Sequence, residues 1–277
     1  MAEYVRPRSL EEALAIAGRG AKPLAGCTDL FPATDRPALG GALLDLTGVE
    51  GLSGITRTDR GWRIGAVTRW AEVAGAALPP AFDGLRAAAR EVGAIQIQNA
   101  GTVGGNLCNA SPAADGVPPL LTLDARVELA SAAGRREMAL AEFVTGPRRT
   151  ALAEGEILTA VIVPEPAGRG AFLKLGARSS LVISIVMAAG RIDVAGGRVA
   201  EAAFSVGACS PVAVRLPALE AALAGLPVAE AADRVEAGLV VPALSALSDL
   251  RAEAGYRAEA SVVLIRRLVA GLTGGAA

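Results

Sequence analysis

The sequence predicts an α+β fold built from three successive units, and two patterns carry that prediction. Short strands alternate with amphipathic helical stretches as far as Val163, and from Ala171 onward longer strands joined by a tight hairpin give way to helices. Pro164 and Pro166 punctuate the change, and no fixed-period repeat or low-complexity segment competes with this division. The expected units are residues 1–55, 56–165 and 170–277.

In the first unit, Ser9 and Glu12 spell a capping box, Leu10, Ala13, Leu14 and Ala17 follow at helical spacing, and Gly18 stops the helix. Residues 22–25 read as a short strand entering the Gly26-Cys27-Thr28-Asp29 turn, and residues 43–46 as a second, buried strand. In the second unit, 62–67 is a strand, Thr68 a cap for the helix after it, and 81–92 a helix with polar residues on one side. The stretch 96–115 holds so many Gly and Asn residues that irregular structure is expected there. Strands at 126–130 and 135–140 flank Ala132-Ala133-Gly134 as a hairpin, and 156–163 is a further strand. In the third unit, strands 185–194 and 199–209 meet across Ala195-Gly196-Gly197, followed by helices at 216–224, 228–238 and 252–270.

Composition narrows the function. The 277 residues carry 27 Lys plus Arg against 28 Asp plus Glu, a balance that builds no field for gathering nucleic acid or acidic membranes. The N-terminus has no apolar core of signal-peptide length, and no run approaches the ~18 to 20 apolar residues of a spanning helix, so a soluble, cytoplasmic protein is expected. Cys27, Cys108 and Cys209 are far apart, with no metal-site spacing. Histidine is absent, which removes the Ser-His-Asp and Cys-His mechanisms and the usual zinc constellations. Chemistry here is expected from a bound cofactor rather than a side chain.

Two loops could hold one. Ala25-Gly26-Cys27-Thr28-Asp29-Leu30 and Gly101-Thr102-Val103-Gly104-Gly105-Asn106 each place consecutive N–H groups where few side chains obstruct a ligand. Such concavities suit a diphosphate, whose burial requires several donors; the same glycines can equally be plain turns. Neither loop is a GxGxxG or a GxxxxGK[ST].

The order of three motifs goes further: Ala25 to Leu30, then Asn99-Ala100-Gly101-Thr102-Val103-Gly104-Gly105-Asn106-Leu107, then Ala110-Ser111-Pro112-Ala113-Ala114-Asp115. Together with Gly146-Pro147-Arg148, Glu156-Ile157-Leu158, Lys174-Leu175-Gly176-Ala177-Arg178, Ser248-Asp249-Leu250-Arg251 and Tyr256-Arg257, the chain resembles the FAD-binding subunits of the xanthine dehydrogenase and carbon monoxide dehydrogenase family over nearly its whole length. The resemblance implies an FAD-binding fold of the vanillyl-alcohol-oxidase (PCMH) type, with two α/β subdomains and a C-terminal α+β domain of the CO dehydrogenase flavoprotein kind. It implies that Leu24, Ala25, Gly26, Cys27, Thr28, Asp29 and Leu30, with Thr102, Val103, Gly104, Gly105 and Asn106, grip the diphosphate and adjoining ribose of a non-covalent FAD. Ala110 and Ser111 belong to the same contacts, and Asp115 would accept a hydrogen bond from a ribose hydroxyl. Leu158 and Ile183 would lie near the isoalloxazine, with Lys174 at the flavin's polar edge, where a cation stabilises negative charge.

Each of these residues has a plainer role open to it. Asp115 can be a cap, Leu158 and Ile183 core residues, Lys174 a solvated strand lysine, Arg178 a surface ion partner and Cys27 an inert thiol. Cys27 also departs from the family, which favours a small residue such as Gly there. The segment Ser179 to Ser184 lacks the acidic residues that several relatives carry beside the flavin, which leaves the electron acceptor open.

The implied role is electron transfer. A molybdenum cofactor in a large subunit oxidises the organic substrate, a 2Fe-2S subunit relays electrons, and this chain's FAD passes them to an external acceptor, in a dimer of heterotrimers. No Cys-rich segment offers a cluster site in this chain, so molybdenum and iron–sulfur centres belong to partners only. The C-terminal helix and the loop 146–150 are candidate contact surfaces, or merely solvated faces. Two other classes compete: a self-contained FAD oxidoreductase of related fold, and a non-enzymatic assembly protein.

Overall fold

The structure is a computed structural model describing residues 3–35 and 39–274; the outermost residues of the expected first and third units lie outside these ranges. Glu3–Val5 (β1), Leu10–Ala17 (α1), Lys22–Leu24 (β2) and Ala42–Asp45 (β3) make a small layer in which β3 pairs parallel with β1 on one side and β2 on the other. Half of the capping box forms: the Glu12 N–H donates to Ser9 Oγ at 3.2 Å, while the Glu12 carboxylate accepts from the Arg8 N–H at 3.4 Å instead of from Ser9. Gly18 keeps a helical φ of −62°, and Gly20, at φ +84°, is the residue that turns the chain. Ala13, Ala17 and Leu44 seal this layer.

Next come Ile55–Thr58 (β4) and Gly61–Gly65 (β5), then Trp70–Gly75 (α2), Asp83–Glu91 (α3), Ile95–Ala100 (α4), Val103–Asn109 (α5) and Val117–Thr122 (α6). They are followed by Arg126–Ser131 (β6), Gly134–Ala139 (β7), Leu140–Phe143 (α7), Val144–Gly146 (β8), Arg149–Thr150 (β9) and Ile157–Val163 (β10). The antiparallel sheet β4-β5-β10-β6-β7 has β10 at its centre, every residue of it buried. The predicted hairpin stands, with Ser131 opposite Gly134.

Two local expectations change here. The stretch 96–115 is largely helical rather than irregular: α5 tolerates its two glycines because Val103 and Leu107 are fully buried and Gly104 lies flat on Ala66, where a Cβ would stand 2.8 Å from that residue's own Cβ. Thr68 does not cap α2. Its hydroxyl donates to Gly54 O at 3.1 Å, while Glu72 reaches back to the Arg69 N–H at 3.0 Å.

The last layer is Arg169–Leu175 (β11), Val186–Ala195 (β12), Arg198–Gly207 (β13) and Val214–Arg215 (β14), antiparallel in sequence order. Gly196 and Gly197 turn the β12–β13 hairpin with φ of +57° and +74°, the conformation a tight two-residue turn demands. Pro217–Leu223 (α8), Val228–Ala231 (α9), Ala237–Val240 (α10) and Ala254–Leu272 (α11) cover the sheet. The helix expected over 228–238 is split in two, because the intervening turn lets Ala231, Val235 and Val240 all reach the core. Among the described residues no helix is long and apolar enough to cross a membrane.

Candidate functional site

The loop after β2 and the start of α5 meet over a cavity of about 360 Å³. All of Leu24 to Leu30 line it, together with Thr102, Gly105 and Asn106. The two segments touch backbone to backbone: a Cβ on Gly26 would fall 2.1 Å from Ala100 O and 2.8 Å from Gly101 Cα, so only glycine permits this approach. Cys27 adopts a left-handed φ of +56°, and its thiol donates to Ala25 O at 3.3 Å. Burial pushes that thiol's pKa up, which keeps it protonated and unreactive near neutrality.

Donor accounting separates the two loops. The N–H groups of Cys27, Thr28, Asp29 and Leu30 donate to no other group among the described residues, although carbonyls of this loop accept from Phe31 and Ala33. In the second segment the Thr102 N–H likewise donates to no group among the described residues, but the next four amides are engaged: Val103 with Thr68 O at 2.9 Å, Gly104 with Ala66 O at 2.7 Å, Gly105 with Thr102 Oγ1 at 3.1 Å and Asn106 with Thr102 O at 3.0 Å. The expectation that residues 103–106 offer main-chain donors therefore needs correction. Forming α5 and docking it on the central sheet consumes the amides of 103–106, and this segment presents the Thr102 hydroxyl, the bare Gly105 and the Asn106 carboxamide instead. Asn106 Oδ1 is buried without a partner.

Val103 and Gly104 stand behind the cavity wall, fully buried. Ala110 ends α5 in a left-handed conformation at φ +47°, and Ser111 accepts from the Ala113 N–H at 3.3 Å. Sequence reasoning missed Trp70, a buried residue lining this cavity; in a chain only 3% aromatic it was a visible outlier.

Asp115 and Lys174 lie elsewhere, and together. Lys174 Nζ donates to Asp115 Oδ2 at 2.7 Å and to Glu91 O at 3.1 Å, while Ser184 Oγ donates to Asp115 Oδ1 at 2.6 Å. Burial pushes the Asp115 carboxyl upward against the pull of Lys174 and Ser184. Lys174 lines a second cavity of about 470 Å³, shared with Gly176, Arg178 and Val182. At the end of α3, Glu91 lines the second cavity and its neighbour Val92 the first. Ile183 is 52% exposed beside this region, whereas Leu158 on β10 is packed into the central core at 4%.

Free amides in one cavity and a held cation lining the other suit the two ends of an anionic, elongated ligand. The family profile described as the FAD binding domain in molybdopterin dehydrogenase matches residues 1–166. The chain belongs to this FAD-binding family. Residues 171–272 match the CO dehydrogenase flavoprotein C-terminal domain. The FAD-binding chain is 34% identical over 224 residues to the nicotinate dehydrogenase FAD-subunit of Eubacterium barkeri, covering 77% of this chain and 73% of that one. It is 30% identical over 275 residues to the carbon monoxide dehydrogenase medium chain of Afipia carboxidovorans, covering 96% and 95%. Its fold matches the reconstituted CO dehydrogenase from Oligotropha carboxidovorans with a TM-score of 0.90 at 28% identity, over 100% of this chain and 99% of that chain.

The residues fit the cofactor. A diphosphate needs several donors in a row, and Cys27 to Leu30 have them free; an adjoining ribose or ring needs polar partners, and the Asn106 acceptor has none inside the protein.

Proposed function

We propose that this chain carries a non-covalent FAD as the electron-transfer subunit of a cytoplasmic molybdenum hydroxylase complex. In that assembly a 2Fe-2S subunit and a large molybdenum-cofactor subunit complete a heterotrimer that pairs with a second copy. Substrate oxidation then belongs to the large subunit, and this chain delivers the electrons to an external acceptor. When bound, FAD supplies the ability to exchange electrons singly or in pairs.

The chain's own residues hold and tune it. The unengaged amides of Cys27 to Leu30 cradle the diphosphate, and Thr102 and Asn106 provide side-chain contacts beside them. Val103, Gly104, Ala110 and Ser111 shape the α5 wall from behind, as Leu158 does from the core of the central sheet. Asp115 orients the Lys174 ammonium toward the second cavity, where Ile183 is available to an apolar ring face. On this reading residues 1–55 and 56–165 build the first cavity, and 170–277 close the second.

The observation that carries the proposal is the run of free amides opposite an orphaned carboxamide in one cavity. Native purification tests it: the complex should be yellow, release FAD on acid precipitation, and contain molybdenum and iron in co-purifying subunits. A colourless, metal-free preparation overturns it.

A further inference from the structure

The short helix α6 runs between the two cavities and an arginine cluster on the far sheet. All six of its residues are buried, and Pro118 and Pro119 stiffen its first turn. Its N-terminal side meets Trp70, which lines the first cavity, and Lys174, which lines the second. Asp115, with its Lys174 partner, immediately precedes Gly116, and a Cβ on Gly116 would fall 2.3 Å from the Trp70 ring. Its C-terminal side lacks a capping glycine, since Leu123 follows and Asp124 takes a left-handed φ of +51°. The end closes on itself, the Ala125 N–H donating to Leu120 O and the Asp124 N–H to Leu121 O, each at 3.1 Å, while Thr122 O takes no main-chain donor among the described residues.

Two arginines of the four-stranded sheet add to this closure. Arg191 Nε donates to Thr122 O at 2.8 Å, and Arg215 Nη1 donates to Leu121 O at 2.8 Å. Arg215 also holds Asp124 Oδ1 at 2.7 Å, and Arg191 holds Asp124 Oδ2 at 3.4 Å. Arg191 is 2% exposed and has its remaining nitrogens on Ala167 O and Glu201. Positive groups at a helix C-terminus also meet its dipole favourably. A rigid rod of six residues, roughly 9 Å long at the helical rise, is therefore gripped at one end and carries the second cavity's polar group at the other.

We propose that Arg191 and Arg215 are positioning residues for FAD: by fixing the C-terminal end of α6 they hold Asp115 in register with Lys174. This rests on the FAD reading above. Arginine suits the site because its planar fork spreads its donors over several acceptors in fixed directions, which the compact ammonium of a lysine does not reproduce.

The test is a double-mutant cycle on the full-length chain, titrated with FAD and read by flavin and Trp fluorescence, with thermal melts of the cofactor-free proteins alongside. R191K should weaken FAD binding at least about fivefold in the wild-type background and less than about twofold in D115N, because the residues act through one another. D124N, which removes the carboxylate that both arginines share, should show the same dependence and carries the test if R191K does not fold. Equal fold-changes in both backgrounds, or a lowered melting temperature with unchanged FAD affinity, would overturn the inference while leaving the FAD reading intact. A wild-type chain that takes up no FAD sinks both.

Discussion

Lys174 reaches Asp115 across 59 residues of sequence, its Nζ 2.7 Å from the carboxylate in a setting where the two side chains are only 7% and 9% exposed. A buried ion pair adds little net stability, but breaking it strands a charge at a cost of about 3–5 kcal/mol. Lys174→Met should destabilise the chain by that order near neutral pH. The sign with pH follows from Asp115: burial has raised its folded pKa above the unfolded value, so protonation favours the fold and stability falls as pH rises through that window. Without Lys174 the bias is stronger. The deficit, measured by urea unfolding, should therefore shrink from about pH 8 to about pH 5, and an equal deficit at both would contradict this account.

Gly26→Ala tests the backbone contact between the two cavity segments. The added methyl would meet Ala100 O at 2.1 Å, too close for either segment to remain in place. Overpacking of this kind costs about 1–3 kcal/mol, and displacement of the free amides should raise the Kd for FAD at least about tenfold. Fluorescence titration beside a thermal melt checks both effects.

Cys27→Gly should do the reverse. A non-glycine residue at φ +56° carries roughly 1–2 kcal/mol of left-handed strain, offset by the ~0.5–1 kcal/mol that glycine costs in unfolded-state entropy. Stability should hold or rise by up to about 1 kcal/mol, with FAD affinity retained because the amides remain. Loss of FAD binding would reveal a role for the thiol that its hydrogen bond to Ala25 does not explain.

Asp249 predicts an acid-side effect. It accepts from the Arg251 N–H at 2.8 Å and from Arg257 Nη2 at 2.6 Å, and these bonds, the backbone one foremost, hold its carboxyl down to about 2. Its contribution is present above the ordinary carboxylate value of about 3.9 and is lost as pH falls toward the folded value. Its side chain is 40% exposed, so screening keeps the effect small. Between about pH 4 and pH 2 the wild type should lose stability more steeply than Asp249→Asn, as followed by circular dichroism.

Much of the fold was legible in local pattern. The Ser9 N-cap, the Gly196-Gly197 hairpin and the apolar run of β10 are written in short-range chemistry, and each forms as expected. The helix α5 was not legible, because its glycines argue for a turn and only burial against Ala66 overrides them. The split between α9 and α10 was hidden for a similar reason: it is set by which side chains reach the core.

The candidate site divides the same way. The sequence alone pointed to a cofactor, since the absence of histidine removes the common side-chain mechanisms, and to two glycine segments as its candidates, because motif order and spacing are properties of the chain. Tertiary structure decided which amides are free, since those of 103–106 are consumed in docking α5, and it brought Asp115 to Lys174 and Arg191 to the end of α6. A hydrogen-bonding group has a fixed number of partners, and no sequence pattern states which of them folding has already filled.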